Sequence, residues 1–268
     1  MTPEPIRIDD QDDPRIAFYR NIRERDLVGR QGRFIAEGKV VLNVLFRQRR
    51  FAVESVLIQE ARLAGMRETL ASVPPGTPVY VASPAVMDAV AGFNIHRGVL
   101  AVGRREPPGD ADALLSALPQ KTVVLALVGI ANHDNVGSIF RNAAAFEAGA
   151  VLLDAASCDP LYRKAIRVSV GAALKVPFAI LPDETALFEA LARHGFEQFA
   201  LTPAGKEDVA ELATADRAAL YLGTEGAGLP SALMARMRTA RIAMSREFDS
   251  LNVAAASAIA LHRLWPGR

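Results

Sequence analysis

Six short apolar runs in the second half of the chain set the strongest limit on its fold. They lie at Val123–Ile130, Val151–Asp154, Phe178–Leu181, Phe199–Thr202, Ala218–Gly223 and Arg241–Met244. Between them run segments patterned as helices, beginning near Val136, Lys164, Glu184, Ser231 and Leu251. Strands that are apolar along their whole length are covered on both faces. Alternating such strands with helices predicts an α/β fold built on a mostly parallel sheet. Sheets of this kind bind ligands in the loops beyond their strand C-termini.

The first half reads as a smaller α/β region. Phe34–Glu37, Val53–Ile58, Pro78–Val81 and Val99–Val102 have strand character. Lys39–Arg47 and Glu60–Ala71 have helical spacing, the former through Val40, Val41, Val44 and Leu45. Glu106-Pro107-Pro108-Gly109-Asp110 is the clearest boundary, because prolines, glycine and acids there separate two strand-like runs. The chain therefore divides into residues 1–105, a linker 106–121, and a larger domain 122–268.

Composition excludes several classes. Half of the 268 residues are hydrophobic, so wholesale disorder is not expected. The single cysteine, Cys158, rules out a disulfide framework, and the four histidines are too scattered for zinc. The N-terminus has no apolar signal core, and no window approaches the ~18 apolar residues of a membrane span. A cytoplasmic location is the expectation. Net charge is only +1, but residues 20–50 hold nine basic side chains against three acidic ones. Such a stretch can contact several phosphates if the charges share a face; otherwise it is a solvated surface.

Three loops carry the chemistry. The first runs from Ala131 through Asn135 and Gly137 to Arg141, with Asn135 as the expected helix cap and Arg141 as the lone cation of that helix. The second, Leu222-Gly223-Thr224-Glu225-Gly226-Ala227-Gly228, puts an acid among glycines. A phosphate cradle needs backbone N–H groups and usually a lysine, so this loop suits a positively charged cofactor with an adenosine. That points to S-adenosylmethionine. The third loop, Ile242 to Val253, leads into a helix of small residues, with Asp249 or Ser250 as expected cap and Ser250 and Asn252 as functional candidates.

Together these segments resemble the SpoU/TrmH family of RNA ribose 2′-O-methyltransferases, in the SPOUT superfamily. Asn135-Val-Gly-x-x-x-Arg141 is similar to its first motif, Leu222-Gly-Thr-Glu-Gly226 to its second and Ser250-Leu-Asn-Val253 to its third. Arg163 to Ala172 is similar to a family segment between the first two motifs. Arg33 to Gly38 and His96 to Ala101 resemble the family's substrate-binding domain, although Arg97 stands where relatives often carry glutamine. The resemblance implies a deep trefoil knot around a bent S-adenosylmethionine, and a homodimer with each active site at the subunit interface. It implies catalytic roles for Arg141, Asn135, Glu225, Ser250 and Asn252, and cofactor contacts from Leu222, Gly223, Gly226, Ile242, Met244 and Leu251. The candidate RNA contacts are Arg23, Arg25, Arg30, Arg33, His96 and Arg97.

The reaction so implied is methylation of a ribose 2′-hydroxyl in structured RNA, ribosomal RNA before tRNA, with no metal and no membrane. The main alternative is a catalytically idle RNA-binding or ribosome-assembly protein on the same scaffold. A base as methyl acceptor is a further one, which the Ser-Leu-Asn motif disfavours. A dinucleotide oxidoreductase fails because no Gly-x-Gly-x-x-Gly follows a first strand.

Overall fold

The computed structural model describes residues 4–20, 24–91, 98–105, 110–213, 215–245, 247, 250–265 and 267, with backbone only at 24–26 and 91. The chain forms two compact units. One comprises Met1–Pro107 with Leu161–Lys175; the other comprises Pro108–Pro160 with Val176–Arg268. The segment 161–175, placed by sequence in the larger domain, is thus an excursion that packs within the first unit.

The first unit contains β1 (Ile6–Ile8), α1 (Glu24–Gly29), β2 (Arg33–Glu37), α2 (Lys39–Gln48), β3 (Ala52–Gln59), α3 (Arg67–Leu70), β4 (Val79–Ala82), α4 (Pro84–Ala91) and β5 (Val99–Arg104). Its sheet has the order β1-β4-β3-β5-β2, with β5 antiparallel to both neighbours. α2 buries Val41, Leu42, Leu45 and Phe46, the i, i+1, i+4, i+5 stripe of an amphipathic helix. The expected helix Glu60–Ala71 is instead a 3-10 segment, Glu60–Met66, followed by the single turn α3. Gly65 falls inside it, and glycine weakens an α-helix by about 1 kcal/mol relative to alanine.

The second unit opens with α5 (Ala111–Ser116), then β6 (Thr122–Leu127), α6 (His133–Ala145) and β7 (Ala150–Asp154). The excursion supplies α7 (Arg163–Val168) and α8 (Ala172–Lys175) to the first unit. The second unit resumes with β8 (Phe178–Leu181), α9 (Glu184–Arg193), β9 (Glu197–Leu201), β10 (Glu207–Asp208), β11 (Arg217–Leu222), α10 (Ser231–Met234), β12 (Arg238–Arg241) and α11 (Val253–Leu264). Seven strands pair in the order β10-β12-β9-β11-β6-β7-β8, every pair parallel. β6 and β7 are buried at every residue, as double-sided covering requires.

One strand was misplaced by the apolar pattern. The last strand is Arg238–Arg241, not Arg241–Met244. It pairs Arg238 with Phe199 and Ala240 with Leu201 near the sheet's margin, and Ala240 is its one fully covered residue. The alternating Ile242 and Met244 beyond it line a pocket, so their apolar character reflects ligand-sized space and not strand pairing.

Candidate active site

The parallel sheet directs the ends of β6, β9, β11 and β12 to one edge, and the loops leaving them build the site. After β11 the chain turns tightly on itself: Thr224 bridges Gly228, and Thr224 Oγ1 donates to the Gly228 carbonyl at 3.3 Å. A Cβ at Gly223 would lie 2.5 Å from backbone atoms of Gly228 and Leu229, so only glycine permits this closure. Gly226 and Gly228 have φ of 93° and 69°, the left-handed region that glycine adopts without strain. These glycines shape the loop by folding it back on itself.

Beside this loop is a pocket of about 400 Å³, within the range of small-molecule sites. Leu201, Thr202 and Pro203 close it on one side, Leu222 to Gly226 with Gly228 on another, and Ile242, Met244, Ser250 to Val253 and Ala256 complete it. All six residues expected to hold the cofactor, Leu222, Gly223, Gly226, Ile242, Met244 and Leu251, line it. Leu201 to Pro203 were missed by sequence reasoning. Their only signal was position, since β9 neighbours β11 and its C-terminal loop must share that edge.

A smaller pocket of about 230 Å³ adjoins it, lined by Gly129 to Asn132, Asn135, Thr224 and Glu225. Thr224 and Glu225 belong to both. Gly129 is held in place by Asp154, a buried carboxylate that the sequence reading also missed. It accepts from the Gly129 N–H at 2.9 Å, the Ser157 N–H at 2.8 Å and the Ser157 hydroxyl at 2.7 Å.

Two asparagine side chains, from the start of α6 and the cap of α11, meet at Glu225. Asn135 Nδ2 donates to Glu225 Oε1 at 2.6 Å. Asn252 Nδ2 donates to Asn135 Oδ1 at 3.0 Å and to the same Glu225 oxygen at 3.2 Å. Asn252 Oδ1 caps α11 by accepting from Ala254 N–H at 2.9 Å. Two capping expectations are corrected here. Asn132, not Asn135, caps α6, through the Asp134 N–H at 2.8 Å, which leaves Asn135 inside the helix and buried. Asn252, not Asp249 or Ser250, caps α11. In both cases competent capping residues two or three positions apart compete for the cap, and sequence does not rank them.

The remaining candidates are placed as follows. Ser250 lines the larger pocket. Arg141 is exposed on α6 and lines neither pocket: six residues beyond Asn135, the helix turns it to a different face. Arg33 is committed to an ion pair with Glu54 at 2.6 Å and stacks on Phe18 at 4.2 Å. Arg30 is exposed. Arg23, His96, Arg97 and the side chain of Arg25 lie outside the described residues. No cluster of histidine, cysteine or acidic residues fit to hold a metal, and no helix long and apolar enough to cross a membrane, occurs among the described residues.

Residues 122–262 match the model of the SpoU rRNA Methylase family. A Mycobacterium bovis protein named as an uncharacterized tRNA/rRNA methyltransferase is 40% identical over 277 residues, spanning 96% of this chain and 93% of that protein. The 23S rRNA (guanosine-2′-O-)-methyltransferase of Acinetobacter baylyi is 30% identical, over 70% of this chain and 78% of its own. Among solved structures, the AdoMet-bound rRNA methyltransferase of Sinorhizobium meliloti superposes with a TM-score of 0.79 at 21% identity, covering 97% of each chain.

Proposed function

Since the chain belongs to the SpoU rRNA Methylase family, we propose that it transfers a methyl group from S-adenosylmethionine to a ribose 2′-hydroxyl of a structured RNA. Ribosomal RNA is the favoured substrate and tRNA the next. The observation that carries this reading is the Asn135–Glu225–Asn252 network, whose Glu225 and Asn252 line the larger pocket and which joins the three motif-bearing segments. The pocket fits the cofactor. Its Leu, Ile, Met and Val walls suit a flat adenine, the closed glycine loop offers backbone at short range, and the one charge among its described lining residues is a carboxylate. The bound cofactor would supply an already activated methyl, its S–CH3 bond breaking as O–CH3 forms while the hydroxyl proton passes to solvent.

The protein's part is then to position and to stabilise charge. Asn135 and Asn252 fix Glu225, and Ser250 sits on the pocket wall beside them. Arg141 holds its proton too tightly to serve readily as a base, so it stabilises the developing alkoxide or a neighbouring phosphate. Arg141 lines neither pocket of its own chain, which accords with a homodimer whose active sites lie at the subunit interface; the knotted topology is part of the same reading. Residues 1–105 are the RNA-binding part of this reading, acting in the cytoplasm. The 2′-hydroxyl exists only in RNA, so DNA is not a substrate. Incubation with labelled cofactor and unmodified rRNA and tRNA transcripts tests it. Label in at least one RNA is expected; none in either, from a protein that binds the cofactor, contradicts it.

A further inference from the structure

Glu225 is the one charged side chain among the residues lining the larger pocket, and likewise among those lining the smaller. His133 and Asp134 on the first turn of α6 line neither, and Arg246 and Asp249 of the third loop lie outside the described residues. A carboxylate that is the one charge among the described lining residues acts on whatever charge the ligand carries there. Its orientation is fixed from the backbone outward. Asn252 Oδ1 must accept the N–H groups of α11, at 2.9 Å from Ala254 and 3.4 Å from Ala255, so its Nδ2 faces the network. That Nδ2 and Asn135 Nδ2 both end on Glu225 Oε1. Oε2 has no protein partner among the described residues.

The methyl donor and the product left after transfer, S-adenosylhomocysteine, share their adenosine, amino and carboxylate groups. They differ by one methyl and one positive charge on sulfur. We infer that Glu225, oriented by Asn135 and Asn252, makes the pocket prefer the sulfonium donor to the neutral thioether product. This rests on the proposed cofactor. Donor is held while it carries charge, and product leaves because the attraction ends with the transfer. Asn135 and Asn252 are positioning residues in this scheme, since they act through Glu225.

The test is calorimetric titration of S-adenosylmethionine and S-adenosylhomocysteine into the full-length protein and two variants, at low salt, with thermal melts alongside. In Glu225→Gln the amide oxygen can accept both bonds that Oε1 now accepts, so the loop keeps its shape while the charge is lost. In Asn252→Asp the carboxylate still caps α11, since aspartate caps as well as asparagine, but the donor to Glu225 is lost and the two adjacent acids share a proton, so the site keeps about one negative charge. A charge at contact range in a solvent-accessible pocket changes affinity by about threefold to tenfold. The ratio of product to donor Kd is therefore expected to fall by about that factor in Glu225→Gln and to stay nearer the wild-type value in Asn252→Asp, which keeps a negative charge at the site. An unchanged ratio in Glu225→Gln, or an equal loss of affinity for both ligands, overturns the inference and leaves Glu225 a residue of loop shape. Wild-type protein that binds neither ligand would instead refute the cofactor assignment itself.

Discussion

The glycine loop of the second unit and the basic stretch of the first each drew attention in the sequence, but the structure treats them differently. The loop's polar residues converge: Glu225 collects donors from the N-terminal ends of two helices, 90 and 27 residues away. Three of the described basic residues are instead engaged by partners far apart. Arg20 pairs with Asp12, Arg33 with Glu54, and Lys39 donates to the Gly65 carbonyl at 2.9 Å. A motif names residue types at fixed spacing on strands whose order the fold determines, so its members are brought to one place. A charge count omits the partners, which lie elsewhere in the chain.

The first way to sharpen that contrast is to break the loop. Gly223→Ala puts a Cβ into backbone atoms that cannot move without opening the turn. Affinity for S-adenosylmethionine should fall by roughly 100-fold or more, the cost of about 3 kcal/mol of lost closure. Binding within threefold of wild type, by calorimetry, would show that the closed turn is dispensable. Next comes Arg141→Lys, which keeps the charge and removes the planar fork. Single-turnover methylation should drop severely while cofactor affinity stays within about twofold, because Arg141 lines neither pocket. Near-normal turnover would remove Arg141 from the chemistry.

Asn135→Ala tests the network as a structural element. It removes a buried amide and one of the two donors to Glu225, so urea denaturation should show a loss of about 1–3 kcal/mol. No loss would mean that the network adds nothing to stability. The smallest effect is expected in the first unit. Burial raises the Glu54 carboxyl, but hydrogen bonds from Arg33 and Arg104 outweigh it and hold the group below its ordinary value. Such a depressed acid contributes stability above its unfolded-state pKa and loses it as pH falls through the folded value. Glu54→Gln should therefore cost no more than about 1 kcal/mol at pH 7, since the cluster is partly solvated, and nothing once the wild-type carboxyl is protonated. Cofactor affinity should not change.

Legibility follows the same division. The α/β class and the runs of β6, β7 and β8 were readable because buried parallel strands are apolar throughout. β12 was not, because only one of its residues is covered and the apolar signal lay in the pocket wall beyond it. The pocket-lining residues of the second loop were visible from an acid set among glycines. The wall at Leu201 to Pro203 was not, because ordinary residues become part of a site only through strand order. The caps were misassigned wherever two competent residues stood close together, as at Asn132 and Asn135. Nothing in the sequence marked 161–175 as belonging to the first unit, since its contacts are with α2 and β2, more than 100 residues earlier.

The central claim is that the acceptor is a ribose hydroxyl. RNA methylated by the protein with labelled S-adenosylmethionine can be hydrolysed completely in alkali, which needs a free 2′-hydroxyl at each cleaved bond. Label recovered in alkali-resistant dinucleotides is the predicted result. Label recovered in mononucleotides would place the methyl on a base and contradict the account.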